Sequence, residues 1–226
     1  EMTSSLVGSE MCIRDSDYPV HLFFSQEGYL KKITPQSLRM SSEQKYKEGD
    51  GPYLQWEASN RDELLVFTDR QQCYKTRLSE FEDTKASVLG DYLPTKLAMD
   101  QEERVVWACI PGDYRRQLLF FFDNGKAARV DLTAYKTTSN RRKLTGAYSD
   151  KAPLACIRRL DTDCELAVYS TEPRALIFHT ALLAPKTTRT TQGVAVMTLK
   201  PKYQLETVKA LEDTPITNPS LSLIHI

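Results

Sequence analysis

The sequence predicts an all-β chain in which one blade-like unit recurs four times, and three observations carry that reading. Four segments align without a gap: LFFSQEGYLKKITPQSL from Leu22, LVFTDRQQCYKTRLSEF from Leu65, LFFFDNGKAARVDLTAY from Leu119 and AVYSTEPRALIFHTALL from Ala167. Each sets an apolar run, a short polar turn and a second run in the order of a β-hairpin. The aligned turn residues Gly28, Gln71, Gly125 and Pro173 stand 43, 54 and 48 residues apart. That spacing fits a propeller-like array of four-stranded blades, each too small to stand alone and buried against its neighbours.

The elements follow in order. First strands are expected at residues 22–24, 64–67, 118–122 and 166–169, and second strands at 29–33, 72–76, 126–130 and 174–178. Asp123-Asn124-Gly125 between apolar runs is a strong hairpin signal, because Asn and Gly tolerate the positive φ of a tight turn. An apolar anchor closes each unit at Leu38, Phe81, Tyr135 and Leu183. Further short strands are expected at 53–56, 105–110, 154–158 and 194–199. Eight prolines, from Pro35 to Pro201, interrupt any long helix, which excludes the amphipathic helices of a doubly wound or barrel α/β fold. Phe23, Phe67, Phe121 and Tyr169 are assigned to the core, while Tyr29 and Tyr74 are candidates for surface exposure.

Composition bounds the function. The 226 residues are 41% hydrophobic and 27% charged, with a formal net charge of zero. Whole-chain charge therefore gives no support to nucleic-acid binding. Its distribution does: residues 126–143 hold six Lys or Arg against Asp131 alone, and residues 186–202 hold four and no acid. Local fields of this kind steer polyanions. Five cysteines without metal-ligand spacing predict a reduced compartment and no structural metal. There is no secretory signal and no membrane-spanning run, so the expected location is cytoplasmic. Residues 1–16 lack strand or helix periodicity and 211–226 form a polar, proline-containing tail; both are expected to be disordered or non-native, which leaves 17–210 as the blade-repeat domain. Setting aside 1–16 and 220–226 removes one Arg and three acids, so 29 basic and 27 acidic side chains remain.

No catalytic constellation is visible. His21, His179 and His225 are scattered, and neither a phosphate-gripping glycine loop nor a nucleophile–base pair is present. The organised signal is basic. Lys31 and Lys32, Lys75 and Arg77, and Lys126 and Arg129 fall on or just after the second hairpin strands, followed by Arg174 in the fourth repeat. Arg141, Arg142 and Lys143 fill one polar loop, and Lys186 and Arg189 another. Equivalent positions in a radial array would line one surface, a stripe suited to phosphate contacts without base readout.

As a set, residues 23–39, 63–81, 118–135 and 184–199 resemble the C-terminal domain of the A subunit of bacterial type IIA DNA topoisomerases, gyrase and topoisomerase IV. The resemblance implies a β-pinwheel, a propeller-like array forming an incomplete ring, whose outer face binds and bends duplex DNA. It implies no catalytic or metal residue in this chain, and the twelve cations named above stand as the candidate DNA-binding set. The implied partners are duplex DNA, the ATPase B subunit of the enzyme and the remainder of its A subunit, with no membrane. ATP and Mg2+ would serve the holoenzyme and not this chain. Gyrase carries a QRRGGKG box for full wrapping; NRRKLTG at 140–146 keeps both arginines and the last glycine but lacks the central pair. That departure favours a relaxing and decatenating role over supercoiling. A propeller-like protein-interaction module, a blade-repeat enzyme and a gyrase-type wrapping domain remain open as alternatives.

Overall fold

The computed structural model describes residues 16–137 and 142–216 in full, and the backbone of Leu223–His225. Among the described residues there are sixteen strands, in four separate four-stranded antiparallel sheets. The first sheet is ordered β3-β1-β2-β6, from β1 (Pro19–Ser25), β2 (Tyr29–Ile33), β3 (Pro52–Ser59) and β6 (Asp91–Tyr92). The second is β10-β5-β4-β7, from β4 (Glu63–Thr68), β5 (Gln72–Arg77), β7 (Val105–Cys109) and β10 (Lys143–Thr145). The third is β11-β8-β9-β14, from β8 (Gln117–Phe122), β9 (Lys126–Asp131), β11 (Leu154–Leu160) and β14 (Val194–Ala195). The fourth is β15-β12-β13-β16, from β12 (Glu165–Ser170), β13 (Arg174–His179), β15 (Leu205–Ala210) and β16 (Leu223–His225). Helix among the described residues is confined to α1 (Pro35–Met40), α2 (Leu93–Lys96) and 3-10 turns.

Two compact units divide the chain. One comprises residues 1–112 with 141–143, and the other comprises 113–140 with 144–226. The core of the first joins Leu22, Phe24, Leu64, Val66, Tyr74 and Phe81; that of the second joins Leu119, Phe121, Leu166, Val168, Phe178 and Val208. Each first hairpin strand is buried nearly throughout, as in LLFFF of β8. Both its faces are covered, so the run is continuous instead of alternating. Tyr74, a candidate for exposure, is 3% exposed, because its hydroxyl donates to the buried Glu103 carboxylate at 2.8 Å.

Sequence explains the local geometry. Gly28, Gln71 and Gly125 take positive φ (94°, 52° and 81°) at the aligned turn position, the conformation a tight hairpin demands. Pro173 cannot adopt it, and the fourth turn closes instead through Arg174 N–H donating to Glu172 O at 2.6 Å. Every blade also shifts register between its first and third strands in the same place, at Phe24/Ser25, Phe67/Thr68, Leu154/Cys156 and Tyr169/Ser170. A bulge there strengthens the local twist. After the second strand three blades make a 3-10 turn, at Leu78–Glu80, Leu132–Tyr135 and Thr180–Leu182. The first makes α1 instead, because Thr34 caps the Ser37 amide and Pro35 occupies the first turn.

The structure corrects one strand and adds others. Regular pairing expected over 194–199 stops at Ala195, because the Val196 and Met197 amides both turn to Gly125 O, at 2.9 and 3.1 Å. The tail assigned to 211–226 contains a 3-10 turn at Leu211–Asp213, and β16 pairs with Arg174, Ala175 and Leu176 as the edge of the fourth sheet. Residues 1–15 lie outside the described residues. Among the described residues no helix is long and apolar enough to cross a membrane.

Within the first unit the hydroxyl of Tyr18 donates to Asp83, at 3.0–3.1 Å, and its pKa is pushed up to about 12 by burial and then by that carboxylate. The unfolded phenol ionises near pH 10. The stabilisation is therefore fully present below about pH 10 and is lost as pH rises towards 12. Urea midpoints measured from pH 8 to 12 should fall more steeply for the native chain than for Tyr18→Phe; parallel curves would contradict the coupling.

Candidate nucleic-acid interface

Burial divides the twelve cations that the sequence nominates. Lys31 and Lys32 are 2% and 3% exposed. Lys31 Nζ donates to Lys45 O at 2.8 Å and Ala86 O at 3.2 Å, and burial holds its pKa below the usual lysine value. Lys32 Nζ donates to Asn60 Oδ1 at 2.8 Å and Leu78 O at 3.2 Å, and pairs with Asp83 at 3.0 Å. Neither ammonium reaches solvent. Both leave the expected surface stripe, because a buried charge must be satisfied from within.

Arg129 occupies the repeat position of Lys32 and behaves the same way, with its side chain 12% exposed. Its guanidinium donates to Gln117 Oε1 at 2.5 Å, Asp163 Oδ1 at 2.8 Å, Thr180 O at 3.1 Å and Leu183 O at 3.4 Å. Asp163 is held below the usual carboxylate range by the Thr180 hydroxyl and then by Arg129. Lys75, third in this aligned set, pairs with Glu63 of its own sheet at 3.4 Å and is 14% exposed. Arg174 is also taken up locally, by Glu172 at 2.9 Å and Thr198 O at 2.7 Å. Arg189 donates to Ala134 O at 2.8 Å, Gly146 O at 3.2 Å and Thr145 O at 3.5 Å, with its guanidinium 6.0 Å from the Tyr135 ring centroid.

The remaining cations differ. Arg142 is exposed and pairs with Glu80 at 3.2 Å. Lys143 is tied to Asp100 at 2.7 Å, a hydrogen bond that raises its pKa, and lies 5.6 Å from the Tyr74 ring. Arg141 lies outside the described residues. Arg77 in the first unit, and Lys126 and Lys186 in the second, have no side-chain partner among the described residues; Arg77 and Lys186 are exposed and Lys126 is half-buried. Three further exposed cations, Lys136, Lys202 and Lys209, lie 5.0–5.8 Å from the rings of Tyr114, Tyr203 and Tyr169. The sequence-predicted set omits them, although Lys136 and Lys202 fall within the basic runs 126–143 and 186–202.

The local setting of Lys186 is the most built. Its amide donates to Arg129 O at 2.8 Å and its carbonyl accepts from Asp131 N–H at 2.9 Å. Thr187, Thr188 and Thr190 beyond it are exposed, and Arg189 pins the loop to three carbonyls. Gly193 ends the loop at φ +71°, where a Cβ would stand 2.1 Å from Ala127 O. Exposed hydroxyls, backbone amides and one unpaired ammonium on an anchored loop are what phosphate oxygens accept from. By contrast, an open cleft of about 640 Å3 in the first unit is rimmed by Asp69, Asp100, Glu102 and Glu103 against Arg70 and Arg104, and so repels a polyanion.

Four hairpin-centred, four-stranded sheets define a four-bladed, propeller-like β domain. A family model described as the DNA gyrase C-terminal domain, beta-propeller, matches residues 62–87 and 184–212. The A subunit of DNA topoisomerase 4 from Bacillus subtilis is 28% identical over 135 residues, covering 58% of this chain and 16% of that protein. Its counterpart from Staphylococcus epidermidis is 25% identical over 186 residues, covering 80% and 23%. The chain thus spans less than a quarter of the length of these relatives. A solved structure of the C-terminal domain of DNA topoisomerase IV superposes with a TM-score of 0.76 at 22% identity, covering 87% of this chain and 62% of that one. The E. coli ParC C-terminal domain gives 0.65 at 15% identity, covering 85% and 79%. The chain is related to the C-terminal β-propeller domains of the topoisomerase IV and gyrase A subunits.

Proposed function

We propose that this domain binds duplex DNA through its phosphates, bends it modestly, and presents it to the breakage–reunion core of an ATP-dependent type IIA topoisomerase in the bacterial nucleoid. The observation that carries the reading is the anchored loop at 186–193, with exposed Lys186 and threonine hydroxyls, on a fold shared with topoisomerase IV C-terminal domains. Arg77, Lys126 and Arg142 are the other contacts we assign, with Lys143 at the margin because Asp100 competes for it. The partners are an ATPase B subunit, together with the remainder of an A subunit. ATP and Mg2+ belong to those parts, and no residue of this chain is assigned to either.

Each phosphate contact releases condensed counterions, so the logarithm of affinity should fall with the logarithm of salt by about 0.9 per contact. Lys186→Ala should weaken binding to unrelated duplexes by similar factors and reduce that slope by about one. Filter or anisotropy titrations at several salt concentrations measure both. Binding that is flat with salt would instead favour a protein-interaction module.

Modest bending follows from the charge left available. Side chains of Lys31, Lys32, Lys75, Arg129, Arg174 and Arg189 are already taken by partners within the chain. Bending 20–30 base pairs by 40–90° costs about 1–6 kcal/mol, which few contacts offset. Nicked circles ligated in the presence of this chain should shift in gel mobility yet keep nearly their linking number. The parent enzyme is then a better relaxing and decatenating enzyme than a supercoiling one. A large, stoichiometric positive linking-number shift would reverse that assignment.

A further inference from the structure

We propose that Arg129 is a positioning residue for the DNA-contacting loop, stapling the segment that leads into Lys186, and is not itself a phosphate contact. The inference rests on the reading of that loop as the DNA site. Its physical basis is a contact pattern that occurs twice. In the second unit the guanidinium of Arg129 reaches Thr180 O and Leu183 O, while its backbone carbonyl accepts from the Lys186 amide at 2.8 Å. One residue thereby holds both ends of the segment from Thr180 to Lys186. In the first unit Lys32, the aligned residue, donates from Nζ to Leu78 O, and its carbonyl accepts from the Thr84 amide at 2.7 Å. Leu78 and Thr180 share one repeat position, and Thr84 and Lys186 share another.

The electrostatics explain why a cation does this work. Thr180 O accepts the Leu183 amide that closes the 3-10 turn, at 3.0 Å, and keeps a second lone pair for Arg129, while Leu183 O lies just past the end of the turn. A charged fork satisfies both and anchors on Asp163 as well. The guanidinium, mostly buried, cannot contact a phosphate without giving up these bonds, which would remove the donor to Leu183 O and the ion pair to Asp163. Its effect on DNA is transmitted through backbone: with the staple in place, the Lys186 amide and carbonyl are both fixed on β9.

The experiment compares Arg129→Gln, Arg129→Lys and Lys186→Ala in the whole chain by DNA titration against salt and by amide hydrogen exchange. In Arg129→Gln, DNA affinity is expected to fall about tenfold with an unchanged salt slope, and exchange at the Lys186 and Asp131 amides to rise at least tenfold. Arg129→Lys should recover much of both, since a lysine performs the equivalent task at position 32. Lys186→Ala should lower the slope with exchange elsewhere unchanged. A slope lowered by about one in Arg129→Gln would make Arg129 a phosphate contact and overturn the proposal. So would unchanged affinity alongside faster exchange, or unchanged exchange at Lys186. Should the native chain show no salt-dependent binding, the DNA reading fails; the exchange data then still report whether the staple exists.

Discussion

Gly193→Ala and Gly125→Ala are expected to lose about 2–5 kcal/mol of stability each, enough to consume much of what holds a small domain together. Both residues lie at positive φ, where an L side chain costs about 1–2 kcal/mol by itself. The larger part is steric. A Cβ at Gly193 would stand 2.1 Å from Ala127 O and 2.4 Å from its carbonyl carbon. At Gly125 it would stand 2.1 Å from Met197 O. These neighbours are backbone, so relief requires moving the return segment off β9 instead of rotating a side chain. Gly49 and Gly112 supply the control, with positive φ but nothing within 4 Å of the added carbon. Alanine there should cost only the backbone contribution, about 1–2 kcal/mol. Urea unfolding of the four variants, read as midpoints at constant slope, separates strain from collision. Equal losses at Gly193 and Gly49 would mean that the return segment yields freely.

These collisions mark what the sequence left unread. The hairpins are legible because short apolar runs are bounded by turn chemistry, as at Asp123-Asn124-Gly125, and so are the third strands of the first three sheets; β15, the third strand of the fourth, has too few apolar residues in LETVKA to announce itself. The fourth strands are not legible, apart from β14, which lies within the strand expected over 194–199. β6, β10 and β14 are two or three residues long, and each follows the hairpin of the next blade, so no local pattern shows which sheet it joins. The site divides the same way. Basic residues at regular positions are visible in the sequence, but whether a cation faces solvent depends on carbonyls supplied far along the chain, such as Leu78 O and Thr180 O. One signal was present in the aligned column Lys32, Lys75, Arg129 and Ile177. An isoleucine in that column indicates a position mostly shielded from water, and Ile177 is 8% exposed. Cations sharing it are then satisfied internally and do not form a phosphate-facing stripe.

Phe121→Ala and Phe120→Ala should each lose about 3–5 kcal/mol, the cost of deleting a buried aromatic side chain and leaving a cavity. Both are fully buried in β8, but on opposite faces of the strand. Phe121 packs in the core of the second unit with Leu119 and meets Phe178 edge-on at 6.3 Å between ring centroids. Phe120 stacks on Tyr148 at 5.6 Å. Because β8 carries packing on both faces, neither loss can be recovered by collapse on one side. Phe121→Leu should cost less than the alanine variant, since it retains most of the side-chain volume. Leu182→Ala, at a side chain 77% exposed, should stay within about 0.5 kcal/mol of the native chain. The phenylalanines touch separate layers but share the β8 backbone, so their losses couple instead of simply adding; the double variant should still lose more than either single one, about 5–10 kcal/mol, comparable with the whole stability of a small domain. It is expected to remain unfolded in circular dichroism at 25 °C while each single variant still folds. A folded double variant, or a Phe121→Ala loss no larger than that of Leu182→Ala, would show that β8 is not the strand on which the second unit is built.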